Sequence, residues 1–219
     1  MNASRRLLTR HGPRWFLGMG SVLFAILLAG APLPAAATTI TFESLSQAGT
    51  GVNIFTGPYL EAGFQFVNNV APFDFGNWQT GNANFPGSTA LFNDRQGGIT
   101  TLTLVGSGEF AIISLDLMAF QVNSPAQTLT FTGTRPDNST VMESFNVPAS
   151  GSTITENLFV FTNTGFLDVK SVSFAPQNLP DYQFDNVTVN AVPEVSTTWL
   201  LLFGLPATLG LNFLVRRRV

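Results

Sequence analysis

Residues 38–190 predict an all-β domain, an antiparallel β-sandwich, with an N-terminal signal helix before it and a C-terminal transmembrane helix after it. Three observations predict this. Short stretches alternate apolar and polar residues with period two, as half-buried strands do. Gly, Pro, Asn and Ser clusters separate those stretches. The aromatic content is mostly Phe, 21 against 3 Trp and 2 Tyr, which suits strand faces rather than helix stripes.

The strands follow in order. Thr39–Phe42 opens the domain and Gly63–Val67 alternates. Thr100–Leu104 places Leu102 and Leu104 on one face, and Phe110–Leu117 places Ile113, Leu115 and Leu117 on one face. Thr128–Thr132, Thr140–Val147, Asn157–Phe161, Phe166–Phe174 and Phe184–Val189 complete the set. Turns fall at Gln96–Gly98, Val105–Gly108, Arg135–Asn138 and Pro148–Gly151. Residues 68–88, rich in Asn, Gly and aromatics without periodicity, read as a long loop.

The two ends of the chain are different in kind. Residues 1–37 form a secretory signal: Arg5, Arg6, Arg10 and Arg14 precede an apolar core from Trp15 to Gly30, and Ala35-Ala36-Ala37 offers small residues to signal peptidase. Cleavage is expected after Ala37. Residues 191–219 form a tripartite tail. Val192-Pro193-Glu194-Val195-Ser196 leads into the apolar run Trp199–Val215, and Arg216, Arg217 and Arg218 follow. As a helix that run spans ~26 Å at ~1.5 Å per residue, enough for the inner membrane with snorkelling arginines. The arginines are expected to stay cytoplasmic and the sandwich to face outward.

Charge and composition exclude several functions. Between Thr38 and Asn190 only Arg95, Arg135 and Lys170 stand against twelve carboxylates, a balance of −9 that the whole-chain value of −3 hides. Such a domain repels phosphate backbones, so no nucleic-acid partner is expected. The chain has no Cys and its one His, His11, lies in the signal. That removes thiolate chemistry, a Ser-His-Asp triad and histidine zinc sites. No phosphate-binding Gly loop occurs, and the carboxylates sit in no glycosidase-like motif, so no catalytic residues are assigned.

Two groups of residues carry binding chemistry. Phe73, Phe75, Asn77, Trp78 and Phe85 combine rings that stack on sugar faces with an amide that bonds hydroxyls, which suits an extracellular polysaccharide. The same rings also suit a loop that merely covers one end of the sandwich. The carboxylates offer hard oxygen ligands for Ca2+.

The tail resembles the PEP-CTERM sorting signal of Gram-negative bacteria. Val192, Pro193, Glu194 and Ser196 match its motif, Val195 replaces the usual Pro, and the membrane helix and Arg cluster are both present. The resemblance implies recognition and cleavage by an exosortase, transient residence in the inner membrane, and delivery to the cell surface or extracellular matrix. The central region resembles the jelly-roll, galactose-binding-like domains common in that class. It does so through Ile40–Glu43, Ser114–Asp116, Leu129–Gly133, Gly165–Val169 and Phe184–Val187. In those domains a structural calcium links the first strand to the last, and Glu43 and Asp185 match the positions. The pair either shares one Ca2+ or forms a solvated edge. A structural or adhesive matrix role, a carbohydrate-binding module and, distantly, a polysaccharide hydrolase are the functions this leaves open.

Overall fold

A computed structural model describes residues 36–70, 74–94, 97–176 and 182–191. The expected signal through Ala35, the expected sorting tail from Val192, and Phe73 lie outside the described residues. Among the described residues no helix is long and apolar enough to cross a membrane.

The described residues form thirteen strands: β1 (Thr38–Ile40), β2 (Val52–Thr56), β3 (Tyr59–Glu61), β4 (Phe64–Asn68), β5 (Asp74–Trp78), β6 (Phe92–Asn93), β7 (Thr100–Leu104), β8 (Phe110–Ala119), β9 (Gln127–Thr134), β10 (Thr140–Val147), β11 (Asn157–Val160), β12 (Ser171–Pro176) and β13 (Tyr182–Ala191). They assemble into a four-stranded sheet, order β1-β13-β8-β11, a six-stranded sheet, order β10-β9-β12-β7-β4-β3, and a three-stranded sheet, order β2-β5-β6. Every pairing is antiparallel. The described residues therefore form an all-β sandwich, as the periodicity predicts.

The core lies between the two larger sheets, and Phe builds most of it. Phe64 of β4 meets Phe110 of β8 at 5.3 Å between ring centroids, and Phe174 of β12 meets Phe184 of β13 at 5.2 Å. Phe42, Phe66, Phe131 and Phe166 are equally buried. Each fully buried ring contributes roughly 1.5–3 kcal/mol. Edge-to-face neighbours add about 0.5–1.5 kcal/mol per pair.

Four features depart from the sequence reading. Residues 68–88 are not one loop, because β5 runs through them; its Phe75 and Asn77 are fully buried. Apolar-polar alternation is lost there because β5 is covered on both sides. The stretch from Phe166 is not strand throughout: Thr164–Leu167 is a 3-10 turn, started by Asn163 Oδ1 accepting from the Gly165 amide, and β12 begins only at Ser171. The inward residues of β8 are Phe110, Ile112, Leu115 and Leu117, with Ile113 only half-buried. Alternation breaks there because the β8–β13 register shifts around Thr188. Strands β2, β3 and β6 are too short or too mixed to announce themselves.

The outer face of the six-stranded sheet is a field of hydroxyls. Thr128, Thr130, Thr132 and Thr134 of β9 alternate with buried neighbours, and Ser171, Ser173, Thr101 and Thr103 stand on the same face. Much of this field is self-paired. Thr101 and Ser173 share a hydrogen bond of 2.9 Å, Thr130 and Ser144 another of 2.9 Å, and Thr128 donates to Asn146 at 2.7 Å.

Candidate functional site

The first and last strands meet at an acidic corner. Its geometry depends on two residues in the left-handed region, each beside a carboxylate. Phe42 has φ 55°, which for a bulky residue costs about 1 kcal/mol or more. It is held there by burial against Tyr59, Phe66 and Phe184, and by Glu61, whose carboxylate accepts from the Thr41 and Phe42 amides at 3.2 Å each. The turn at Phe42 delivers Glu43. Asn186 has φ 49° at the register shift in β13, directly after Asp185. Such irregularities re-aim side chains.

Ser88 and Thr89 stand between the two acids. Glu43 accepts from the Thr89 amide at 2.9 Å and from Thr89 Oγ1 at 3.1 Å. Asp185 is fully buried, accepts from the Asn186 amide at 2.7 Å, and shares a hydrogen bond with Ser88 Oγ. Ser88 Oγ also lies 2.7 Å from Glu156 Oε1. A hydroxyl owns one hydrogen, so it cannot donate to both carboxylates at once. A protonated Asp185 can supply the second hydrogen. Burial pushes its pKa up to about 7, with Glu156 and Glu43 adding to the rise against the lowering effect of Ser88 and the Asn186 amide. Nearby, burial and the bond to Glu61 push Tyr59 up to about 12.

The two sequence-assigned acids, Glu43 and Asp185, are thus brought to one corner through adjacent residues. The donor set is all oxygen, the chemistry Ca2+ takes. Among the described residues no three carboxylate or imidazole groups converge as a metal shell. An ion here would need backbone carbonyls or water to complete its six to eight ligands.

The aromatic residues divide. Phe75 is buried 6.0 Å from Phe55 and presents no face to solvent. Asn77 is buried too, accepting from Asn53 Nδ2 at 3.1 Å and donating to the Leu45 carbonyl at 3.3 Å. Neither is placed to touch a sugar at the surface. Trp78 and Phe85 are partly exposed. Trp78 packs against Phe92 at 5.3 Å and Phe120 at 5.6 Å, and its indole N–H donates to the Phe120 carbonyl at 3.2 Å. Its cross-strand neighbour is Val52, and Ile54 stands two residues on; these are 38% and 42% exposed. The indole therefore belongs to an apolar patch on the outer face of the three-stranded sheet. Gly76 makes the floor of that patch, because a Cβ there would meet the Phe92 ring at 2.5 Å and Ile54 at 2.8 Å.

Amides border the patch. Asn82 Nδ2 donates to the Thr50 carbonyl and Asn84 Oδ1 accepts from the Val122 amide at 2.9 Å. Buried Gln183 gathers the carbonyls of Asn84, Ala119 and Phe120 at 3.0, 3.2 and 3.1 Å, tying the loop of Phe85 to the Trp78 cluster. Its Oε1 has no partner among the described residues. Sequence reasoning missed Ser88, Thr89, Glu156 and Gln183. No local pattern marks them, since each acts through residues distant in the chain.

No family model matches the chain, and no curated protein matches it either. Solved structures that resemble it include a family 29 carbohydrate-binding module from Piromyces equi, at 16% identity over 74% of this chain and 93% of that one, TM-score 0.37. Another is the CBM22-1 xylan-binding domain of Paenibacillus barcinonensis Xyn10C, at 11% identity over 74% of this chain and 98% of that one, TM-score 0.37.

Proposed function

We propose that this chain is an exported polysaccharide-binding protein with an adhesive or structural role in an extracellular matrix, and that it is not a catalyst. The supporting observation is the Trp78 patch. A partly exposed indole beside Val52 and Ile54 offers an apolar platform, and the amides of Asn82 and Asn84 border it. Pyranose rings have apolar C–H faces and polar edges, so they suit such a surface. The test is glycan-array and calorimetric binding. Trp78→Ala should weaken binding roughly tenfold or more, because stacking on one ring is worth about 1–3 kcal/mol by the measure of base stacking. Equal binding by parent and variant would sink the reading.

The terminal segments support export. Signal peptidase is expected to cut after Ala37. The Val192–Ser196 motif, the Trp199–Val215 span and Arg216–Arg218 are expected to hold the precursor in the inner membrane for an exosortase-like protease. Mass spectrometry of both ends of the matrix-recovered protein tests this; an intact tail on all of it would refute processing.

Calcium at Glu43 and Asp185 belongs to the same proposal. Bound there, the ion would neutralise a buried acid and tie the first strand to the last. Glu156 and Ser88 are close enough to Asp185 to help hold it. A melting temperature unchanged by chelator and by added calcium would remove it.

A further inference from the structure

We infer that the outer face of the six-stranded sheet holds a second glycan site, a cleft beside Lys170 that takes a neutral pyranose segment, so that one domain grips two polysaccharide strands. The choice of a glycan rests on the reading above; the cleft stands on its own geometry.

The cleft has a volume of about 410 Å3, inside the ~300–1,000 Å3 range of small-molecule sites. Its base is one row of cross-strand neighbours. Ser171 of β12 pairs with Thr103 of β7, and Thr103 with Gln65 of β4. At ~4.8 Å per strand this row extends about 10 Å. The turn after β7 raises one wall, where Gly106 and Ser107 both take positive φ, 92° and 69°. Leu104 and Val105 make that wall apolar, with Val105 51% exposed. One apolar wall against a polar base matches the two-sided chemistry of a pyranose ring.

Unused hydrogen-bonding capacity marks this row. Elsewhere on the same face Thr101 bonds Ser173, Thr130 bonds Ser144 and Thr128 bonds Asn146. Among the described residues, the side chains of Gln65, Thr103, Ser107 and Ser171 make no such bond. Lys170 donates to Asn138 Oδ1 at 2.8 Å. An ammonium has three donors, so two remain.

Other occupants fit less well. A polyanion meets a domain carrying −9 between Thr38 and Asn190. Among the described residues Lys170 is the only charged group lining the cleft, and one cation does not offset that field. A peptide strand binds at a sheet edge, whereas β7 and β12 are interior and paired on both sides. A neutral, hydroxyl-bearing chain meets neither obstacle. Two glycan faces on one domain would also give cross-linking, since a bivalent binder gains from effective concentration.

The experiment uses the full chain in detergent micelles and isothermal titration with cellohexaose, xylohexaose, mannohexaose and an oligogalacturonate. At least one neutral hexaose should bind, and Trp78→Ala should leave residual binding. Lys170→Gln, or Thr103→Val with Ser171→Ala, should weaken that residue roughly tenfold. Lys170→Arg should stay within about threefold, since it keeps the charge and the donors. Melting temperatures report whether the variants fold. If the Lys170 variants lose binding while Trp78→Ala binds like the parent, the cleft stands and the Trp78 reading falls. The inference is overturned if Trp78→Ala alone removes all binding, if the cleft variants match the parent, if oligogalacturonate alone binds, or if no neutral hexaose binds.

Discussion

The outer surfaces of the three-stranded and six-stranded sheets are built on opposite terms. On the small sheet, Trp78, Phe92 and Phe120 pack on one another, and Phe92 and Ile54 close over Gly76, so shape complementarity there is tight. On the large sheet, Ser and Thr stand in rows at the water face, some bonded sideways to a neighbour of similar size, as Thr101 is to Ser173 and Thr130 to Ser144. The first surface contributes stability through burial and tolerates little change. The second contributes little stability, and its residues are free to serve binding. A ring platform and a hydroxyl field are thus two kinds of surface on one scaffold, with different sensitivity to mutation.

Substitutions test that contrast directly. The largest effect is expected at Gly76→Ala. The new Cβ would press on the Phe92 ring and Ile54, costing about 2–3 kcal/mol by overpacking and seen as a lower urea midpoint. A loss under about 0.5 kcal/mol would show that the patch is loose.

The acidic corner should make stability pH-dependent. Asp185 is an acid whose folded pKa, about 7, lies above its unfolded value. The fold therefore holds a proton that the unfolded chain releases. This contribution is fully present below about pH 4 and is lost as pH rises towards 7, at up to about 1.4 kcal/mol per pH unit. Urea midpoints measured without calcium should fall across that window, and Asp185→Asn should flatten the slope. Were calcium to bind there as proposed, it would compete with that proton, and its stabilising effect would grow as pH rises. A midpoint independent of pH in both proteins would contradict the shared-hydrogen account of Ser88. Exposed Asp137 makes the contrast: Ser139 bonds hold its pKa below the ordinary value.

The smallest effect is expected on the hydroxyl field. Thr130→Val removes the bond to Ser144 and keeps the β-branched shape. It should shift stability by no more than about 0.5 kcal/mol. A loss above about 1 kcal/mol would mean that the hydroxyl rows stabilise the sheet after all.

How much was legible beforehand follows the same division. Thr100–Leu104 and Thr140–Val147 match their strands end to end because each has one wet face and one dry face, and period two reports that directly. Strand β5 was hidden because it is covered on both sides, which erases alternation. Phe75 and Asn77 looked like surface chemistry for the same reason. Among the residues proposed to bind, Trp78 was visible by its rarity. Glu43 and Asp185 were visible only through the resemblance, since 142 positions separate them in sequence. Ser88, Gln183 and Lys170 carry no local mark.

By itself the sequence determined that the domain is a sandwich of antiparallel strands, that it is acidic and without histidine or cysteine, and that apolar segments with arginines flank it. Those properties depend on composition and on patterns within ten residues. Tertiary structure alone decided which strands neighbour one another, where β13 shifts register, and hence that Asp185 meets Ser88 and that Lys170 borders a hydroxyl-lined cleft. The physical reason is that strand order and register are settled by burial summed over the whole core, and only after that sum is made do distant side chains acquire neighbours.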